Sequence, residues 1–116
     1  MKIYKCNFKG NWNDHLLMTN CIYMFTNLIN NTKYVGVASE LKDRIYKYKN
    51  EIKKHSDKSR VIIKAIVKHK EENFSLDFIE QCSSYKEALN KEIEMILKLK
   101  NENIRLYNCT DGGEGF

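Results

Sequence analysis

The sequence predicts a small α+β domain in which a three-stranded antiparallel or mixed sheet is flanked by helices. Two runs of strand-forming residues, 21–27 and 33–38, are joined through Asn30-Asn31, a pair that tolerates left-handed turn conformations. A third run, 75–81, alternates apolar and polar side chains in its first half, as a half-buried strand does. Segments in which apolar residues recur with helical spacing lie between the second and third of these runs and after the third. The order of elements predicts a hairpin, then helices, then a strand and a last helix.

Composition limits the classes of function. Twenty Lys and Arg against fifteen Asp and Glu give a net charge of +5 over 116 residues, which is enough chain for one domain with one core. No apolar run reaches the length of about 18 residues that crosses a bilayer, and the N-terminus lacks the apolar stretch of a signal peptide. The four cysteines and three histidines show no metal-ligand spacing. We expect a cytoplasmic protein with reduced cysteines, no membrane partner and a polyanionic ligand.

The length of the hairpin loop decides which tyrosines share a sheet face. If Asn30-Asn31 form the whole loop, Tyr34 pairs with Asn27, and Tyr23 and Tyr34 then lie on the same face because side chains alternate along a strand. A three-residue loop would place the two tyrosines on opposite faces.

Three helices are predicted from caps and spacing. Ser39 is expected to N-cap a helix over about 40–54. Residues 59–69 suit a strand or a helix by propensity, and their apolar spacing of i, i+3, i+4 and i+7 favours a short helix. Ser84 and Glu87 form a capping box that opens the last helix, which is expected to run to about residue 100.

Two charged residues do not fit the amphipathic pattern. Glu92 falls inside the apolar arc of the last helix, where a carboxylate costs free energy unless it is paired, protonated or bound to a cation. Either it pairs with a Lys or Arg across a packing seam, or it is a catalytic or metal-binding carboxylate. Arg44 lies on the flank of the first helical stripe, one turn before Tyr48. It is either a surface residue with a buried stem or a phosphate ligand.

Basic residues crowd the segment 42–70, where tyrosines alternate with lysines in Tyr46-Lys47-Tyr48-Lys49. A concentrated positive stretch favours nucleic acid through counterion release. The alternative is a lysine-rich solvated face. This pattern alone does not distinguish binding from cleavage.

Together these residues resemble the GIY-YIG nuclease family over about residues 20–110. The matching positions are Cys21-Ile22-Tyr23 for Gly-Ile-Tyr, Tyr34-Val35-Gly36 for Tyr-Ile-Gly, Arg44, Tyr48, Glu92 in Glu-x-x-Met-Ile, and the trailing Tyr107-Asn108. Cys21 departs from the family's first glycine. The resemblance implies a GIY-YIG-like fold and a metal-dependent endonuclease that hydrolyses DNA phosphodiester bonds, as the catalytic module of a homing-type endonuclease. A phage- or virus-encoded protein acting in its host cell would suit this class.

The resemblance also implies site residues. Glu92 is expected to hold one Mg²⁺ or Mn²⁺, Arg44 to hold non-bridging phosphate oxygens, and Tyr23 to position or deprotonate the attacking water. Tyr34 and Tyr48 would orient the water or the phosphate. Nucleic-acid contacts are expected at Gly36, Lys47, Lys49, His55, Arg60 and Asn108. The alternative function is a non-catalytic nucleic-acid-binding module that uses its lysine-rich face.

The predicted organisation has three parts. Residues 1–20 are an N-terminal extension, either an edge strand or an arm, and residues 21–109 are the catalytic domain. Residues 110–116 are a Gly-rich tail or a severed linker, so DNA binding by this chain is expected to be weak and largely non-specific. No oligomeric state is predicted.

Overall fold

The computed structural model describes residues 4–7, 19–56 and 58–108. The strands and helices are β1 (Tyr4–Asn7), β2 (Thr19–Asn27), β3 (Lys33–Glu40), α1 (Leu41–Lys53), α2 (Val61–His69), β4 (Phe74–Gln81) and α3 (Tyr85–Asn101), with a single 3-10 turn over Glu71–Asn73 before β4. Among these elements no helix has both the length and the apolarity that a bilayer crossing requires.

The strands form one antiparallel sheet in the order β1-β4-β2-β3. The predicted α+β class is confirmed, with β2, β3 and β4 as the three expected strands. The extension contributes a fourth strand, because Tyr4–Asn7 pairs with β4 at the sheet edge. Thr19 and Asn20 belong to β2, whereas residues 1–3, 8–18 and the Gly-rich segment 110–116 lie outside the described residues.

The hairpin between β2 and β3 has a longer loop than predicted. The pairing of Tyr34 with Asn27 is wrong: Tyr34 lies opposite Phe25, and the loop is Leu28–Asn31. Because the loop is two residues longer than expected, the shift in register is even. Tyr23 and Tyr34 therefore still share one face of the sheet.

Asn27 explains why the strand pairing stops early. Its backbone N–H donates to the Thr32 carbonyl at 2.9 Å, and its side-chain Oδ1 accepts from the Ile29 N–H at 2.9 Å. This local hydrogen bond offers Ile29 an alternative to the ladder. Asn31 then takes a φ of 62°, the left-handed conformation expected for this pair.

The sheet separates two clusters of buried side chains. On one face Tyr23, Phe25 and Tyr34 pack against apolar residues of α1 and α2. On the other face Ile22 and Val35 pack against α3. Helices on both sides thus bury the alternate side chains of β2 and β3, and the tyrosines belong to the α1–α2 side.

The helix predictions hold except for one cap. Residues 61–69 are helical, so the helix alternative for that segment is confirmed. Ser84 caps α3, since its Oγ accepts from the Glu87 N–H at 3.1 Å. Ser39 does not cap α1: β3 continues through Glu40, which occupies the N-cap position without a side-chain hydrogen bond.

The two serines form a matched pair for a stability test. Ser84→Ala removes an N-cap hydrogen bond and should lower the free energy of unfolding by about 1 kcal/mol. Ser39→Ala removes an exposed hydroxyl in a strand and should change it by less than about 0.5 kcal/mol. Urea denaturation followed by circular dichroism measures both. Equal effects of the two variants would contradict the capping assignment.

Candidate active site

Three tyrosines from three elements meet on the α1–α2 side of the sheet. Tyr23 of β2 and Tyr48 of α1 are hydrogen-bonded through their hydroxyl oxygens at 2.6 Å, and both are almost fully buried. Tyr34 of β3 lies close enough to Tyr48 for the two hydroxyls to interact electrostatically. The Tyr23 and Tyr48 rings also meet the Phe25 ring edge to face, which fixes their planes. We call Tyr23, Tyr34 and Tyr48 the phenol cluster.

Gly36 makes room for the phenol cluster. It lies opposite Tyr23 in the β2–β3 pairing and is buried. A Cβ at this position would lie 2.8 Å from Cε2 of Tyr23 and closer still to its Cζ and hydroxyl oxygen. The Tyr23 ring therefore lies directly over the glycine backbone. The glycine is required for space rather than for an unusual backbone conformation.

The phenol cluster is held in its neutral form. Burial raises the pKa of Tyr23 far above its usual value, with a further rise from Tyr34, and the charge of Arg44 opposes these effects only in part. Burial likewise raises the pKa of Tyr34, and the neighbouring Tyr48 adds to it. Burial and the neighbouring Tyr23 also raise the pKa of Tyr48. At neutral pH all three groups are hydroxyl donors rather than phenolates.

Arg44 brings a positive charge to the phenol cluster from α1. Its side chain is half-buried, and its charge acts on the Tyr23 hydroxyl. The nitrogen Nη1 is buried and makes no hydrogen bond to any residue that the structure describes. A buried guanidinium nitrogen without an acceptor is energetically costly, so Nη1 is a candidate donor to an oxygen of a bound molecule.

Arg60, at the N-cap of α2, is a second guanidinium at the phenol cluster. Its Cζ lies 4.9 Å from the centre of the Tyr48 ring, a cation–π arrangement, and its Nη2 is ion-paired with Glu51 of α1. Its charge also acts on Tyr34. The sequence predicted Arg60 only as a nucleic-acid contact. Its approach to Tyr48 depends on how α1 packs on α2, for which the sequence carries no local signal.

Glu92 approaches the same region from the opposite side of the sheet. It is the expected buried acid of α3, with 6% of its surface exposed. Its carboxylate acts electrostatically on the Tyr34 hydroxyl. Because β3 is the last strand in the sheet order, a side chain of α3 can approach Tyr34 around the sheet edge. The charge of Glu92 therefore reaches one member of the phenol cluster, Tyr34.

The trailing Tyr107-Asn108 closes the open edge of β3. The Tyr107 N–H donates to the Lys33 carbonyl at 2.7 Å. The Asn108 side chain accepts from the Val35 N–H at 3.0 Å and donates to the Val35 carbonyl at 2.8 Å. The Asn108 amide thus forms two hydrogen bonds with the backbone of β3, the strand that carries Tyr34. It holds β3 in place next to the site.

The other predicted nucleic-acid contacts lie outside the phenol cluster. Lys47 and Lys49 are exposed on α1. His55 is exposed beyond the end of α1, where its Nδ1 is hydrogen-bonded to the Ile52 carbonyl at 2.8 Å. These three side chains lie on the surface and not among the phenols.

The sequence did not predict a cluster of two glutamates and one cysteine whose side chains could together hold a metal ion. Glu80, Cys82 and Glu87 place one ligand atom each within 4.8 Å of one another at the β4–α3 junction. Burial, with the charges of the two glutamates, raises the pKa of the Cys82 thiol, which disfavours the thiolate that metals bind. Glu87 also accepts a hydrogen bond from Ser83 at 2.6 Å. Glu92 is not part of this group.

A family model described as the GIY-YIG catalytic domain matches residues 19–108. The chain belongs to the GIY-YIG family. In fold it resembles the catalytic domain of intron endonuclease I-TevI, solved in a mutant form, with a TM-score of 0.62 and 23% sequence identity over 78% of this chain and 92% of that chain. No curated protein matches the chain.

Membership of the GIY-YIG family confirms the predicted class, an endonuclease of the GIY-YIG type. The two motifs that name the family fall on β2 and β3, with Tyr23 and Tyr34 facing the same side. Cys21, which stands in place of the first glycine, is completely buried. Burial, with a contribution from Cys82, raises the pKa of its thiol to about 12, so Cys21 is a packing residue and not a nucleophile.

Proposed function

We propose that this GIY-YIG domain is a metal-dependent endonuclease that hydrolyses DNA phosphodiester bonds. The reaction centre consists of Tyr23, Tyr34, Arg44, Tyr48 and Glu92. The observation that carries the proposal is the buried Nη1 of Arg44, which has no acceptor among the described residues and lies beside the phenol cluster. A site that offers a cation, hydroxyl donors and a buried carboxylate is suited to a phosphodiester and its attacking water.

Arg44 is proposed to bind the scissile phosphate. A non-bridging oxygen would provide the acceptor that Nη1 lacks, and the planar guanidinium matches phosphate geometry. The negative charge on these oxygens grows in the transition state. Arg44 would therefore bind the transition state more tightly than the substrate, which is the condition for a rate enhancement.

Glu92 is proposed to hold one Mg²⁺ or Mn²⁺. A carboxylate oxygen is the ligand that these hard cations prefer, and Mg²⁺ keeps several waters when one or two carboxylates and a substrate phosphate bind it. A single buried glutamate next to a phosphate site fits this donor set. When bound, the ion supplies charge stabilisation and polarises the phosphate and the leaving oxygen.

The phenols are proposed to position water and phosphate. The raised pKa of Tyr23 makes it a poor base at neutral pH, because burial outweighs the opposing charge of Arg44. We therefore assign Tyr23 the positioning role rather than deprotonation. Tyr48 is hydrogen-bonded to Tyr23, and Tyr34 lies beside Tyr48, so both would orient the phosphate and the water through their hydroxyls.

DNA is proposed as the substrate on two grounds. Basic residues near the site suit a polyanion: Arg60 is half-buried, and Lys47 and Lys49 of α1 and His55 beyond its end are exposed. Gly36 and Asn108 would affect DNA binding indirectly. Gly36 leaves space for the Tyr23 ring, and Asn108 holds β3 by hydrogen bonds to Val35. The fold likeness to the catalytic domain of an intron endonuclease supports a homing-type role.

Incubation of supercoiled plasmid with the chain tests this function. With Mg²⁺ or Mn²⁺ we expect nicked and linear products, and with EDTA we expect none. DNA retardation in a gel without cleavage under any of these conditions would favour the alternative, a non-catalytic binding module.

A further inference from the structure

A basic cavity lies next to the phenol cluster and is not part of it. It has a volume of about 490 Å³ between the second half of α1 and the start of α2. Its lining includes Tyr46, Lys47, Glu51, Lys54, Lys58 and Arg60. The volume is within the range of about 300–1,000 Å³ that small-ligand sites occupy. It is therefore large enough to admit one nucleotide unit.

The charge of the cavity favours an anion. Its described lining residues include three exposed lysines and Arg60, against one acid, Glu51. Glu51 is already ion-paired with Arg60. The three lysines are thus left to attract phosphate groups, whose bound counterions they would displace.

The cavity offers an exposed aromatic ring, Tyr46, and is connected with the site through Arg60. Tyr46 lines the cavity with 70% of its surface exposed, and an exposed ring of this kind can stack on a base or pack on a sugar. At the inner end, Arg60 both lines the cavity and lies over the Tyr48 ring. Tyr48 is hydrogen-bonded to Tyr23. A strand lying over the phenol cluster would continue directly into this cavity.

We infer that the cavity is a subsite for the DNA strand that flanks the scissile phosphate. Lys54 and Lys58 bind its backbone phosphates, and the Tyr46 ring packs against one sugar or base. This inference rests on the proposed function and deepens it. The cavity would contact the DNA backbone and the face of a sugar or base, so binding there should depend little on DNA sequence.

The test measures binding of the full 116-residue chain to a short fluorescein-labelled duplex by anisotropy, in EDTA and over a salt series. Each phosphate contact contributes about 0.9 to the slope of log K against log salt. The Lys54→Ala/Lys58→Ala variant should lower that slope by about 1.8 and raise Kd about tenfold or more at 0.1 M salt. Tyr46→Ala should raise Kd about fivefold or more, and Tyr46→Phe should bind like the unchanged chain.

The matched control is Lys86→Ala/Lys98→Ala, which removes two exposed lysines of α3 on the other side of the sheet. A Lys54/Lys58 variant with the slope and Kd of this control would overturn the inference. If the unchanged chain nicks plasmid while the cavity variants bind like the control, the inference alone has failed. If the unchanged chain neither binds duplex nor nicks plasmid, the proposed function has failed as well.

Discussion

Glu92→Gln is expected to reduce plasmid cleavage by at least about 10³-fold in Mg²⁺. The substitution keeps the size of the side chain and removes the negative charge that a divalent cation requires. Removal of one group that stabilises charge in a transition state typically lowers kcat about 10²–10³-fold. Loss of the divalent ion should lower the rate by at least the upper end of that range. Single-turnover nicking of supercoiled plasmid measures the rate, and circular dichroism checks the fold.

Glu94→Gln is the control for that experiment. Glu94 lies on the same helix two residues further on and is exposed, so the same change of charge occurs outside the site. We expect Glu94→Gln to cut at the rate of the unchanged chain. If Glu92→Gln and Glu94→Gln cut equally well, Glu92 does not hold a catalytic metal.

Gly36→Ala is expected to destabilise the fold and inactivate the site together. The added Cβ would overlap the phenol of Tyr23, which cannot move aside freely because Phe25 and Tyr48 hold its ring. Overpacking of a core typically costs about 1–3 kcal/mol, and we expect about 3 kcal/mol here because the overlap involves a fixed ring. That corresponds to a fall in Tm of about 10–20 °C for a domain of this size.

A double-mutant cycle isolates the overlap as the cause. In a Tyr23→Ala background the ring is absent, so adding Gly36→Ala should cost less than about 1 kcal/mol. Thermal denaturation of the four proteins measures the coupling. Additive effects of the two substitutions would show that the glycine acts on something other than Tyr23.

Some of the site was predictable because it follows from periodicity. The period of α3 alone placed Glu92 among apolar neighbours, and the structure buries it. The alternation of β2 and β3 placed Tyr23 and Tyr34 on one face, as observed. That result survived a wrong loop length because a change of two residues does not alter which face a side chain takes.

The features that the sequence did not predict depend on contacts between distant elements or on local competition. Asn27 shortened the strand pairing by a side-chain hydrogen bond that competes with the ladder. Ser39 failed as a cap because β3 extends further than its propensity indicates. Arg60 reaches Tyr48, and Asn108 reaches Val35, only through tertiary packing. No spacing along the chain encodes these contacts.

Plasmid nicking by Arg44→Ala, compared with Lys42→Ala, tests the central claim most directly, because the claim is that Arg44 binds the scissile phosphate through its buried Nη1. Both variants lose one positive charge from the first turn of α1, but Lys42 is exposed. We predict that Arg44→Ala loses at least about 10²-fold in rate while keeping its fold, and that Lys42→Ala cuts like the unchanged chain. Cleavage by Arg44→Ala at the rate of Lys42→Ala would contradict the account.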